Sequence, residues 1–215
     1  MTHNKIIEDH YDIISKEFDD SRVRIWQNVC KFIKNGYGKS LLDVGVGNGK
    51  NSIYASNCGY HCIGIDISNN LIQICKNKGL NAYKVDMLEL TPELFGKFDD
   101  ILCIASLHHL ENVSMQINAI INMINCLNEN GRILISVWSF EKYDNPENIK
   151  YRDFTLGPNI VKWNSKNKDY QIDRFYYIHN LKTFNDMFVE IQKKYDISYE
   201  ISWEKQNWFV EIKKN

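Results

Sequence analysis

The stretch that most constrains this fold is Leu-Leu-Asp-Val-Gly-Val-Gly-Asn-Gly-Lys-Asn, residues 41–51. Its first half, with Ser40, is a short apolar run, Ser40–Val44, that stops at a glycine-rich turn. Such a run reads as a strand buried in a parallel sheet. The glycines fall at alternate positions, Gly45, Gly47 and Gly49. Glycine there permits positive φ and lets the backbone come close to a ligand. The dinucleotide fingerprint spaces its third glycine one residue further on, so this turn is a variant of that device.

Strand and helix patterns alternate after the turn. Helices are expected at about 51–57, 69–78 and 114–127. Strands are expected at His61–Asp66, Asn81–Asp86, Asp99–Ser106 and Gly131–Trp138. Two helices precede the first strand, at about 6–18 and 23–34, the second placing Val23, Trp26, Val29, Cys30 and Ile33 on one face. Beyond Trp138 the rhythm changes. An irregular or mixed stretch of about 139–180 is followed by a helix at about 184–195. Two adjacent strands, joined tightly through Glu204–Gln206, then form an antiparallel hairpin. Alternating units of this kind give an α/β fold with a mostly parallel sheet and helices on both faces. We expect one domain over residues 1–215, with N-terminal helices in 1–36 and a substrate-side insert at about 139–180.

Composition narrows the classes. The chain has 215 residues, 44% hydrophobic and 25% charged, with a formal net charge of -1. No apolar run approaches the roughly 20 residues that span a bilayer, and no leader-like segment opens the chain, so a cytoplasmic location is expected. The six cysteines form no C-x-x-C pair and read as reduced, mostly buried thiols. Cys58, His61 and Cys62 are poorly spaced for a metal, and no metal is expected. Near-neutral charge does not advertise a nucleic-acid binder, although Lys162, Lys166, Lys168, Arg174 and Lys182 outnumber Asp169 and Asp173 between Val161 and Lys182.

In open α/β sheets ligands bind beyond the carboxyl ends of the strands. Asp66 closes the second strand, about 20 residues after the turn, where a carboxylate can accept hydrogen bonds from ribose hydroxyls. Asp86 closes the third, where it can meet an adenine amino group. A turn with only surface acids remains the plain alternative. The order Asp43, Gly45, Gly47, Gly49, Asp66, Asp86 and a terminal hairpin resembles the seven-strand, class I, S-adenosylmethionine-dependent methyltransferases.

Further segments resemble a narrower family. They are His10–Val29, Leu41–Asn51, Gly64–Leu88, Ile101–Asn112, Gly131–Glu141, Arg174–His179 and Lys205–Ile212. Together they are similar to the wobble-uridine tRNA methyltransferases that esterify 5-carboxymethyluridine, including the methyltransferase domain of the AlkB-homologue fused enzymes. The His-His after the fourth strand, the Trp after the fifth and the late Asn-Trp carry the resemblance most specifically. Val46 stands where the family usually has Cys, and Tyr177 where a His is expected.

The resemblance implies a Rossmann-like seven-strand sheet, S-adenosyl-L-methionine as cofactor and tRNA as substrate. It implies a small zinc-containing activator subunit docked near the third-strand edge, Asn81–Val85, and no membrane. Cofactor contacts are expected from Tyr11, Arg22, Asp43, Gly45, Gly47, Asp66, Ile67, Asp86, Met87 and Ala105. Substrate contacts are expected from Arg22, His108, His109 and Trp138. The two histidines or Arg22 would orient the substrate carboxylate, and Trp138 would wall the uracil; otherwise these residues cap or pack. A carboxylate is ionised at neutral pH, so the site needs no general base. Trp208 and Phe209 read as packing residues. The alternatives are a methyltransferase for a small carboxylate or other metabolite, and an inactive methyltransferase-like binding or scaffold protein.

Overall fold

A computed structural model describes residues 2–143, 151–166 and 169–215. In chain order the elements are α1 (His3–Ser21), α2 (Gln27–Lys34), β1 (Ser40–Val44), α3 (Lys50–Asn57), β2 (His61–Asp66), α4 (Asn69–Asn77) and β3 (Asn81–Lys84). They continue with α5 (Pro92–Phe95), β4 (Phe98–Ile104), α6 (Val113–Asn125), β5 (Leu127–Trp138), β6 (Gly157–Asn164), β7 (Gln171–Ile178), α7 (Leu181–Gln192), β8 (Ile197–Trp203) and β9 (Asn207–Lys214).

Seven strands form one sheet in the order β3-β2-β1-β4-β5-β9-β8. The first five are mutually parallel, and β9 runs antiparallel to both β5 and β8. The mostly parallel α/β sheet with its terminal hairpin is therefore the fold the sequence implies. Strand order reverses between β1 and β4, the place where such sheets open a ligand crevice.

Period-two alternation divides the core. Leu42, Ile101, Cys103, Ile133 and Ile135 pack to one side with α6 and α7, while Leu41, Leu102 and Leu134 pack to the other with α2 and α3. Burying a large aliphatic side chain contributes about 1.5–3 kcal/mol, and both faces are filled this way. Helix starts follow ordinary capping chemistry. Ser68 accepts from Leu71 N–H, Asn112 from Met115 N–H, and Asn180 with Thr183 forms a capping box.

Three expectations are corrected. The second helix starts at Gln27, not Val23. Residues 22–26 form no regular element and line a cavity, and Val23 is 72% exposed. The irregular insert contains a two-stranded antiparallel sheet, β6 paired with β7 from Gly157↔Ile178 to Asn164↔Gln171. Its inward face on β7 reads Ile172, Arg174, Tyr176, Ile178, all buried; an arginine in that row hides the apolar alternation. Part of the insert, 144–150, lies outside the described residues, as does Lys168. Of the cysteines, Cys75, Cys103 and Cys126 are buried, but Cys58 is exposed and Cys30 and Cys62 are half-buried. Trp208 and Phe209 are buried, as expected. Among the described residues no helix is long and apolar enough to cross a membrane.

Candidate active site

A cavity of about 720 Å³ opens at the carboxyl ends of β1, β2, β4 and β5, bounded also by α1, β7 and the turn before β9. It brings together Tyr11, Arg22, Gly45, Gly47, Asp66, Ile67, Asp86, Met87, Ala105, His108, His109 and Trp138, all of which line it. Asp43 alone of the expected site residues does not.

At one end lies the glycine turn. Gly45 and Val46 N–H groups both donate to Ile65 O, at 2.8 and 2.9 Å, fixing the turn to β2. Gly45 sits at φ 70°, and a Cβ there would come 2.0 Å from Ser106 Oγ. No side chain fits between the two loops. Asp66 Oδ2 accepts Gly47 N–H at 2.9 Å and Oδ1 accepts Ser68 N–H at 2.9 Å. Burial raises the Asp66 pKa to about 6, against the lowering effect of those backbone donors. Asp43 lies beneath the turn, 1% exposed, with Ser52 Oγ donating to it at 2.7 Å. It ties β1 to α3, and burial raises its pKa to about 6 as well.

Asp86 caps a short 3-10 turn, Met87–Glu89, by accepting Leu88 N–H at 3.0 Å, and Asn4 of α1 donates to its other oxygen. Ala105 holds φ 55°, a left-handed conformation unusual for alanine; its N–H reaches Ser136 O and Oγ at 3.1 and 3.0 Å. Helix α1 lies across this end. Its Asp12 accepts from Ser68 Oγ and, at 2.9 Å, from Asn70 N–H.

The other end is aromatic. Tyr11 O–H and His109 Nε2 are 2.7 Å apart, and His109 Nδ1 is 2.8 Å from Phe175 O. A carbonyl only accepts, so His109 carries its proton on Nδ1 and takes the tyrosine proton at Nε2. Both nitrogens are spent, and burial lowers the pKa to about 3. His108 accepts Trp138 N–H at Nδ1, 3.0 Å, and burial holds its pKa well below the usual value. Trp138 stacks on Tyr176, centroids 4.0 Å apart and 5° from parallel. Phe154 stacks on it at 5.4 Å, and the Arg152 guanidinium lies 4.4 Å from its ring centre. Tyr176 fills one face, which leaves the other to Arg152 and Phe154. Trp138 is thus a shelf for an arginine, not an open platform for a base. Arg22 ends α1, 5.6 Å from the Phe18 ring and 5.5 Å from the Trp163 ring.

Several lining residues were not expected in the site from the sequence. Arg152, Phe154, Arg174 and Tyr176 come from the insert, where no periodic signal placed them; Arg174 stood out only as one of a run of basic residues, and Tyr176 only within the Arg174–His179 segment. Lys205 and Gln206, at φ 48° and 61°, make the two-residue turn into β9, a conformation glycine and asparagine favour. Three buried polar atoms of the lining have no partner among the described residues: Asn51 Oδ1, Arg174 Nε and Asn207 Oδ1. Leaving such a group unpaired costs about 1–3 kcal/mol. A polar ligand fits this wall.

A model of the methyltransferase domain matches residues 16–188. The chain belongs to the methyltransferase domain family. Among its relatives, an Arabidopsis thaliana tRNA (carboxymethyluridine(34)-5-O)-methyltransferase is 34% identical over 163 residues, 72% of this chain and 39% of that one. A Schizosaccharomyces pombe protein of the same description is 26% identical over 229 residues, covering 99% and 97%. The chain therefore spans about two-fifths of the Arabidopsis relative and nearly all of the yeast one. The family read from the sequence segments is the one these relatives are named for. In structure the methyltransferase resembles the DhpI–SAH complex, TM-score 0.73 at 10% identity, over 99% of this chain and 98% of that one. That likeness concerns the fold.

Proposed function

We propose that this methyltransferase uses S-adenosylmethionine to esterify the carboxylate of 5-carboxymethyluridine at the tRNA wobble position. The observation that carries this reading is the state of its histidines. His108 and His109 stand where a base would serve a hydroxyl or ring-nitrogen substrate, yet the acceptor nitrogen of each is already taken, His109 Nε2 by Tyr11 and His108 Nδ1 by Trp138 N–H. A site with no base suits a nucleophile that arrives ionised. The relatives' names point to the same substrate.

When bound, S-adenosylmethionine supplies an electrophilic methyl carbon on a sulfonium; a carboxylate oxygen takes it, the C–S electron pair stays on sulfur, and no proton needs removal. Asp66 would hold the ribose hydroxyls, and the Asp86–Met87 turn with Ile67 would flank the adenine. Arg22, beside the glycine turn, would meet the methionine carboxylate. Tyr11, bonded to His109, would close α1 over the site and exclude water, which sharpens a carboxylate nucleophile. His109 and His108 would act by fixing Tyr11, the β7 backbone and Trp138.

In this reading residues 1–215 work as one domain. The N-terminal helices cover the cofactor end, and the β6–β7 pair within 139–180 covers the tRNA end. Exposed Lys162 and Lys166 on that pair would face phosphate. Edge strand β3, with Tyr83 45% exposed, would take a small zinc-containing activator subunit. The six cysteines are free thiols, which suits a cytoplasmic enzyme. The test is mass spectrometry of nucleosides from tRNA carrying 5-carboxymethyluridine, incubated with protein and labelled cofactor. The label should appear in the methyl ester. Label on base or ribose refutes the reading, and full activity of the lone chain refutes the subunit.

A further inference from the structure

Four arginines line the cavity; Arg24 is exposed on its rim, and the other three divide between its ends. Arg22 belongs to the glycine turn, where its carbonyl accepts from Asn48 Nδ2 at 3.1 Å. Arg152 and Arg174 belong to the aromatic end. Arg174 is 3% exposed, yet its side chain makes no hydrogen bond or ion pair among the described residues. It lies 4.8 Å from the Trp163 ring and 5.2 Å from the Tyr176 ring, and its buried Nε has no partner. Arg152 is anchored through its backbone. Its N–H donates to Gln206 Oε1 at 2.9 Å and its carbonyl accepts from Gln206 Nε2 at 2.7 Å. Its guanidinium rests on Trp138 without an acid beside it.

The acids nearby do not supply the missing counter-charge. Asp66 and Asp86 are held at the other end by Gly47, Ser68, Leu88 and Asn4. Glu204 accepts from Asn28 at 3.0 Å. Asp173, next to Arg174 along β7, lies on the strand's exposed face. A buried guanidinium without an anion is unfavourable. Arg152 is exposed, yet partial desolvation and the charges of Arg174 and Arg22 lower its pKa, against the raising effect of Tyr176.

We infer that Arg174 and Arg152 form the receptor for the substrate's carboxylate, orienting it so that a remaining oxygen lone pair faces the methyl donor. This rests on the esterification reading. Arginine presents paired N–H donors in a plane, which matches the two oxygens of a carboxylate. Aromatic rings flank both guanidiniums; Arg174 is buried, while Arg152 stays open to solvent beside it. A neutral amide in the same place would set its NH2 against the arginine donors. A site whose buried donors are left facing other donors discriminates against the mismatched analogue, here by at least about tenfold. The product also leaves: once esterified the group is uncharged, so the receptor no longer holds it.

The test uses the full chain saturated with S-adenosylhomocysteine. The probes are anticodon stem-loops carrying 5-carboxymethyluridine, its amide or its methyl ester, titrated by calorimetry. The wild type should bind the acid at least tenfold more tightly than the amide or ester. Arg174→Gln and Arg152→Gln should each remove that preference, chiefly by weakening the acid, and leave cofactor affinity unchanged. Arg174→Lys should keep part of it. If Arg174→Gln fails to fold, seen as loss of cofactor binding and of the thermal transition, Arg152→Gln and Arg174→Lys decide alone. Equal binding of acid and amide by the wild type overturns the inference. So does a variant that weakens all three stem-loops alike, which marks a backbone-phosphate site, or one that weakens the cofactor instead. The esterification reading is judged separately by turnover. Acid preference without methyl transfer removes that reading and leaves the receptor; methyl transfer without acid preference removes only the receptor.

Discussion

Asp66 makes cofactor binding depend on pH in a way that can be worked out from its contacts. Its two oxygens already accept N–H bonds from Gly47 and Ser68, and burial raises its pKa to about 6. To accept two further bonds from hydroxyls it must be ionised. A proton therefore competes with the cofactor below pH 6, and the Kd should rise up to about tenfold per unit, about 1.4 kcal/mol. The same shift acts on folding with the opposite sign. A raised carboxyl pKa adds stability below its unfolded value of 3.8 and loses it as pH rises through 6, so loss of fold at pH 5 would not come from this group. Asp66→Asn keeps the shape and removes the titration. Its NH2, however, must face one of the two backbone donors, which costs about 1–3 kcal/mol. The variant should bind roughly tenfold or more weakly at pH 8, and with no pH dependence from this group. Calorimetry of S-adenosylhomocysteine from pH 5 to 8 is the assay. An equal Kd for the wild type across that range, or an unchanged slope in Asp66→Asn, refutes the assignment.

Three other perturbations have calculable outcomes. Tyr11→Phe strands His109 Nε2, a buried acceptor, and should lower stability by about 1–3 kcal/mol while loosening α1; an unchanged melting temperature together with unchanged cofactor affinity contradicts this. With cofactor saturating, single-turnover methyl transfer should be flat from about pH 6 to 9, because the His109 pKa is about 3 and that of His108 also lies well below the usual value. His109→Ala should slow it by roughly 10- to 100-fold, about 1.4–2.7 kcal/mol, without tilting the profile; a rate climbing tenfold per pH unit would demand a base. Gly45→Ala meets two penalties: about 1–2 kcal/mol for a left-handed residue, and a Cβ 2.0 Å from Ser106 Oγ. Adding Ser106→Gly removes the clash but not the strain, so the pair should recover only part of the lost cofactor affinity, measured as a double-mutant cycle.

The cofactor half of the site was legible because its chemistry is local. Gly45, Gly47, Asp66 and Asp86 each sit at the end of a strand whose apolar run is plain in the sequence, and strand ends meet in any parallel sheet. Asp43 shares that pattern and still faces away, since side chains alternate along β1 and only the structure fixes its register against Ser52. The substrate half was illegible for a different reason. Arg174 and Tyr176 meet the site from β7, whose inward row mixes charge with apolar residues, and Arg152 and Phe154 come from the irregular stretch before β6, held through Gln206, so no single periodicity announces the group.

The paired histidines show how residue type alone misleads. Two imidazoles at the mouth of a strand invite an acid–base role. Here His109 is wired between Tyr11 and the β7 backbone, and its own carbonyl accepts His3 Nε2–H at 2.8 Å. His108 is wired to the Trp138 backbone. Each is therefore a joint. His109 ties α1 to β7, and His108 ties the loop after β4 to the end of β5. Burial lowers both pKa values, so the unfolded chain binds their protons more readily. Their contribution to stability is complete above about pH 6.5, the ordinary histidine value, and is lost as pH falls below it, for His109 toward about 3. A proton on His109 would also cancel its acceptor for Tyr11 and release α1. The pair that looks like a catalytic base instead ties the lid over the cofactor end to the strand that carries Arg174, so the two ends of the cavity are held in register by neutral hydrogen bonds.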